Sequence, residues 1–186
     1  PDCRANLIAC LVNGMVPPSR IEADPTPFLV RINAGIEYRP VPLLAFSLDT
    51  QAQVTNDPLP AFEEIAGGNF SIGRGYDPGA VLGDSGILSA FELRYGSLVP
   101  KEINGFAFQP YVFTDVGYVW NKDPSRRAGN PDRLWSAGGG LRVNWGSGLQ
   151  GDFLVAVPLE RPDLAATRGD VRFLFTLTAR LLPWRY

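Results

Sequence analysis

Seven runs along the chain alternate apolar and polar residues, the period of a β-strand whose two faces meet different surroundings. The purest occupies residues 171–181, with Val171, Phe173, Phe175, Leu177, Ala179 and Leu181 on one side and Arg172, Leu174, Thr176, Thr178 and Arg180 on the other. Residues 30–39 set Val30, Ile32, Ala34, Ile36 and Tyr38 against Arg31, Asn33, Gly35, Glu37 and Arg39. Residues 44–54 place Ala45, Ser47, Asp49, Gln51 and Gln53 on the polar side, and residues 87–95 oppose Ile87, Ser89, Phe91, Leu93 and Tyr95 to Leu88, Ala90, Glu92 and Arg94. In residues 137–145 apolar or small positions oppose Gly138, Gly140, Arg142 and Asn144, while the runs at 106–120 and 149–160 are longer and less pure. A further run at residues 5–14 is a candidate eighth strand. Nothing reads as an amphipathic helix of comparable length, so the pattern predicts an all-β, antiparallel fold.

Alternation alone does not say which face is wet, because a soluble sandwich buries its apolar face and a membrane barrel turns it to lipid. Three further signs favour the barrel. Several runs exceed the ~5–6 residues of an ordinary soluble strand and suit the ~9–11 of a tilted membrane strand. The connections alternate in length, with 40–42, 97–105 and 146–148 short and 55–83, 122–134 and 161–170 longer, as expected of short periplasmic turns facing longer outer loops. Tyr118, Trp120, Trp135, Trp145, Trp184 and Tyr186 stand near strand ends, where an interfacial girdle would lie. On this reading Glu92, Asp115, Arg142 and Asp152 point into the lumen, since a charge on the lipid face costs roughly 2–4 kcal/mol near the midplane. The alternative is a soluble β-domain that keeps its charges in water and binds a ligand or partner.

Composition narrows the chemistry. With 45% hydrophobic and 19% charged residues the chain has the balance of a folded domain, and its 20 glycines and 17 prolines collect between the runs. A net charge of −2 offers no electrostatic case for nucleic acid. All but Lys101 and Lys122 of the 17 cationic residues are arginine, which suits fixed pairs in a polar interior. Cys3 and Cys10 are the two cysteines, and a local bridge between them is one option in an oxidising compartment. The chain starts at Pro1 without a leader, and the expectation is that an N-terminal part precedes it.

Residues 55–83 form a long connection, a length that is usually functional or disordered. Its middle combines Ile65, Phe70, Ile72 and Tyr76 with Gly67, Gly68, Gly73, Gly75 and Gly79, which argues for a folded loop carrying Arg74 between two glycines at its tip. Downstream, Phe113-Thr114-Asp115-Val116-Gly117 puts a carboxylate on the polar face beside Gln109 and Tyr111. Taken singly, Arg74 reads as a solvated loop cation and Asp115 as a wetted lumen acid.

The order of these motifs resembles a family. Ile72-Gly73-Arg74-Gly75-Tyr76, with Gly67-Gly68 before it and Gly83-Asp84-Ser85-Gly86 and Glu92-Leu93 after it, is similar to the C-terminal barrel half of two-partner-secretion transporters. These are the haemolysin-activator and filamentous-haemagglutinin-transporter family, in the superfamily of the barrel-assembly insertase. The resemblance runs from about Phe28 to Tyr186. It implies that residues 1–186 are the C-terminal part of an outer-membrane barrel domain of a Gram-negative cell. The long loop at 55–83 would fold into the barrel, with Arg74 pairing with Asp115 of a wall motif formed by Phe113, Asp115 and Gly117. It also implies lipid around the barrel, a secreted unfolded polypeptide as partner, and no enzyme activity, cofactor, nucleic acid or nucleotide. An insertase-like assembly factor is the neighbouring alternative. The family more often carries an aliphatic residue directly before the tip arginine, where this chain has Gly73.

Other motifs lead nowhere. Gly83-Asp84-Ser85-Gly86 looks like a serine-protease nucleophile segment, but the chain has no histidine to accept the hydroxyl proton. The same lack, with two clustered cysteines, argues against a zinc site, so no metal is expected. Gly138-Gly139-Gly140 is not followed by the Lys-Ser/Thr of a phosphate loop and is expected instead to let the in-folded loop approach the wall. The neighbouring acids Glu63-Glu64 read as solvated loop charge.

Overall fold

The structure is a computed structural model that describes residues 19–20, 22–24, 26–68, 70, 72–102, 105–123, 130–146, 148–163 and 167–180. Nine strands follow in order: β1 (Leu29–Val41), β2 (Leu44–Thr55), β3 (Ile65–Gly67), β4 (Val81–Gly83), β5 (Ser85–Tyr95), β6 (Phe106–Trp120), β7 (Asp132–Trp145), β8 (Leu149–Pro158) and β9 (Arg172–Ala179). Seven make one antiparallel sheet in the order β1-β2-β5-β6-β7-β8-β9, each paired with the next strand of the meander. β3 and β4 pair as a small hairpin inside the β2–β5 connection. The predicted eighth run at 5–14, Cys3 and Cys10, and the aromatics Trp184 and Tyr186 lie outside the described residues. No helix long and apolar enough to cross a membrane is present among the described residues.

The sheet is polar inside and apolar outside. β6 alternates exposed and buried along its length. Phe106, Phe108, Val112, Tyr118 and Trp120 are exposed, whereas Gln109, Tyr111, Phe113 and Asp115 are buried. The same outer face carries Ile87 and Phe91 of β5, Trp135 and Leu141 of β7, Phe153 and Val157 of β8, and Phe173, Phe175 and Leu177 of β9, all exposed. A contiguous apolar patch of this extent, with buried Gln53, Glu92, Gln109, Asp115 and Ser136 behind it, suits a lipid-facing wall and not a soluble sandwich. From Phe108 to Tyr118, β6 covers about 25 Å along the membrane normal at ~3.3 Å per residue and ~40° tilt, the height of an outer-membrane apolar band.

Two expectations need correction. The strand predicted from Ala137 begins at Asp132, because Leu134 turns inward and breaks the polar period of the inner face. It does so to pack under the loop. Ile65, Ile72, Tyr76 and Val81 of the loop form one buried cluster with Leu88, Ala90, Val119 and Leu134 of the wall. The inner wall is therefore apolar where the loop covers it, and beyond that its polar residues surround a second buried group of Tyr111, Phe113, Leu154 and Ala156 with Leu174 against it.

The glycine run has a different use from the one expected. A Cβ at Gly138 would lie 2.7 Å from Cζ of Phe113, and one at Gly140 would lie 2.5 Å from Cζ of Tyr111. These glycines make room for two aromatic rings of β6, not for the loop. The wall's close approach to the loop occurs at Ser136 instead, whose Cβ would lie 2.7 Å from a Cβ at Gly75.

Candidate functional site

The loop enters the concave face of the sheet and places Arg74 against β6. Asp115 sits on the inward face of β6 because the strand period puts it in register with Phe113 and Tyr111. One carboxylate oxygen, Oδ2, accepts the backbone N–H of Gly73 (3.0 Å), that of Arg74 (2.9 Å) and the Arg74 Nε–H (3.0 Å). The other, Oδ1, accepts from Nη2 at 2.6 Å. The acid thus holds the loop's main chain as well as its charge. Arg74 is 4% exposed and Asp115 0%, so the pair is desolvated, and charge-assisted two-pronged bonds of this kind are the strong class.

Phe113 completes the seat from the same strand. The Arg74 guanidinium carbon lies 3.6 Å from the centre of its ring, a cation–π contact. Gly117, the third member of the wall motif, is required by crowding. A Cβ there would lie 2.4 Å from Leu88 and 3.0 Å from Leu134, beneath the loop.

The tip residues are each held. Gly73 has φ 91°, a left-handed conformation open to glycine, and this turn brings its N–H to Asp115. Ile72 is buried in the cluster described above. The Gly75 N–H donates to the Ser136 hydroxyl at 3.3 Å. The Tyr76 hydroxyl lies 2.6 Å from the Trp135 carbonyl and 2.7 Å from that of Glu160, and accepts from the backbone N–H groups of the same two residues. It therefore ties the tip to β7 and to the start of the β8–β9 connection.

Glu92, Arg142 and Asp152 were expected in the lumen, but their mutual contacts were not foreseen. Arg74 Nη1 also donates to Glu92 Oε1. Arg142 grips the same carboxylate with two bonds of 3.0 Å and reaches Asp152 through Nε at 3.1 Å. Arg94 adds a bond to Glu92 at 2.8 Å, and the Tyr111 hydroxyl donates to Asp152 at 2.8 Å. The Arg142 guanidinium carbon lies 4.1 Å from the centre of the Tyr111 ring, repeating the Arg74–Phe113 arrangement two residues along β6. The chain Asp115–Arg74–Glu92–Arg142–Asp152 thus crosses β5 to β8 on the inner wall. It borders a trough of about 960 Å³ lined by polar side chains such as Asn33, Asp49, Gln51 and Thr176.

A second buried network was not legible in the sequence, and it corrects the reading of Glu64 as solvated loop charge, since that side chain is 3% exposed and paired with Arg20, while the Glu63 side chain stays 37% exposed. Arg20, upstream of β1, meets Asp84 at 2.7 Å, Glu64 at 3.1 Å and Asp123 at 3.3 Å. Burial alone would lower the Arg20 pKa, but the hydrogen bond and charge of Asp84, followed by the charge of Glu64 and a bond to Asp123, raise it above the ordinary guanidinium value. The isolated acid between glycines at Gly83-Asp84-Ser85-Gly86 was the available signal for Asp84. Nothing in the local pattern marks Arg20. Among the described residues no group of three or more His, Cys, Asp or Glu is arranged to hold a metal ion.

Comparison with known proteins bears on the fold and the family. No curated protein matches the chain. Among solved structures, CdiB from Escherichia coli superposes with a TM-score of 0.68 at 20% identity, over 81% of this chain and 27% of that one. At that identity the likeness speaks for the fold, and the chain spans only about 27% of the length of CdiB. The family model for haemolysin secretion/activation protein ShlB/FhaC/HecB matches residues 28–143, from the first strand through the loop and the wall motif. With that match covering well over half of its 186 residues, the chain belongs to the haemolysin secretion/activation family of two-partner-secretion transporters.

Proposed function

We propose that this chain forms part of a Gram-negative outer-membrane pore that passes an unfolded partner polypeptide to the cell surface or exterior, with the Arg74 loop gating or shaping the passage. The observation that carries the reading is the seating of Arg74. A desolvated arginine at a loop tip, bonded to Asp115 and Glu92 of the inner wall, keeps a folded loop inside a trough lined by both polar and apolar side chains. Polar side chains along the wall, among them Asn33, Asp49, Gln51 and Thr176, give an extended polypeptide hydrogen-bonding partners. In hydrocarbon every backbone N–H needs a partner, so the outer edges of β1 and β9, the two ends of the sheet, call for further strands in the working pore. Membership of a secretion/activation family supports the same assignment.

Removing one member of a buried ion pair costs about 3–5 kcal/mol because the other charge is stranded. Asp115→Asn and Arg74→Ala are therefore expected to leave barrel insertion intact while lowering secretion of the partner about tenfold or more and changing single-channel conductance in planar bilayers. Wild-type secretion by both variants would remove the gating role. Loss of outer-membrane protein assembly, with secretion unaffected, would favour the insertase reading.

A further inference from the structure

We infer that the loop is held by two separate latches, Arg20 closing on Asp84 at its base by the rim and Arg74 closing on Asp115 at its tip. The inference rests on the reading above for its functional meaning, but its structural content stands alone. Arg20 lies upstream of β1, on the side where β1 begins and β2 ends, which is the side of the longer connections. Its guanidinium bonds to both oxygens of Asp84, to Glu64, to Asp123 and to the Leu59 carbonyl. The Asp84 side chain is wholly buried and also accepts the backbone N–H groups of Leu59 (2.8 Å) and Lys122 (2.6 Å). One carboxylate thus joins the segment before β1, the outgoing limb of the loop, the incoming limb and the β6–β7 connection.

Supporting contacts point the same way. The fully buried Gln53 amide donates to the carbonyls of Glu63 and Asp84, the Ala61 N–H donates to the Ser19 hydroxyl, and the Asp24 N–H donates to the Pro58 carbonyl. Leu59 is itself 0% exposed.

The two latches have no residue in common. Arg74 engages Asp115 and Glu92, while Arg20 engages Asp84, Glu64 and Asp123. Between them lies the apolar cluster, to which the base gives Ile65 and Val81, the tip Ile72 and Tyr76, and the wall Leu88, Ala90, Val119 and Leu134. Three carboxylates around Arg20 would repel one another in a desolvated space if the arginine left, so the base opens as a unit or stays shut. The tip depends on a different acid. Breaking the Asp115 contacts loosens the turn at residues 72–76 while the base keeps its own acid, and Ser136, Trp135 and Glu160 still hold Gly75 and Tyr76 to the wall.

Backbone hydrogen exchange on the full chain in detergent micelles reads both regions at once. In Asp84→Asn and in Arg20→Gln, amides of residues 57–66 are expected to exchange about a hundredfold faster, with residues 72–76 unchanged; Asp115→Asn is expected to do the reverse. Equal acceleration of 57–66 and 72–76 in Asp84→Asn, or unchanged exchange at 57–66 in Arg20→Gln, would overturn the two-latch inference. Arg20 lies outside the sheet, so Arg20→Gln carries the test if Asp84→Asn does not fold. Secretion is not the readout, so this pattern stands or falls separately from the transport assignment.

Discussion

At Gly73 a single backbone angle decides how the tip is held. With φ 91° and a would-be Cβ 3.0 Å from the Gly68 nitrogen and 3.1 Å from Leu134, a side chain there is both strained and crowded. Gly73→Val, the kind of residue the family more often carries, is expected to cost about 1–3 kcal/mol at the tip. Trypsin cleavage after Arg74 measures it: faster cutting than in the unaltered chain is the expected result, and equal resistance would show that the N–H to Asp115 bond does not need this turn. Gly138 makes a parallel case, because a Cβ there would lie 2.1 Å from the Val155 carbonyl oxygen as well as against Phe113. Gly138→Ala is expected to cost about 1–3 kcal/mol, read as a lower unfolding temperature in detergent. The pairing of Arg74 with Asp115 was legible only through the family resemblance, since each residue taken singly reads as solvated, whereas the inward direction of Glu92, Arg142 and Asp152 was legible from strand period. Their joining into one chain was not. It depends on register across β7 and β8, which sets Arg142 opposite Asp152, and on side chains that reach over an intervening strand.

Among the elements, the seven long strands were readable because each has one greasy and one polar edge, and their order follows from hairpin connections. The β3–β4 hairpin was not. Each strand is three residues long, too short to show a period, and exists because it packs on Leu88, Val119 and Leu134 of the wall. The same packing hid the start of β7, where Leu134 replaces the expected polar residue. Leu134 is 1% exposed, and Leu134→Ala should cost about 2–5 kcal/mol through the cavity it leaves beneath the loop. Thermal unfolding in detergent gives the loss, and an unchanged midpoint would mean that the loop does not bear on the wall. On the opposite face, Val112 of β6 is 56% exposed in the apolar band. Val112→Arg is expected to destabilise the protein by roughly 2–4 kcal/mol in lipid vesicles, whereas Thr176→Arg on the trough side of β9 is expected to change little.

For the whole molecule, the arrangement inverts a soluble fold: Phe, Val, Ile and Trp side chains face outward, and arginines and acids are gathered inside. That inversion gives the in-folded loop its place, because the inner wall offers an apolar bed at one level and a charged seat at the next. β1 is exposed on both faces and β9 on both from Phe175 to Ala179, so neighbouring positions there accept a probe without disturbing a core, whereas Leu174 packs against Leu154 and its neighbours. The most direct measurement of the central claim is a nitroxide scan of β9 in lipid vesicles, comparing collisions with oxygen, which concentrates in hydrocarbon, and with a water-soluble nickel chelate. Labels at 173, 175 and 177 should meet oxygen, labels at 176 and 178 should meet the chelate, and the signal should alternate from 175 to 178 with a period of two. Chelate access at 173, 175 and 177, or equal access along the whole strand, would contradict the account.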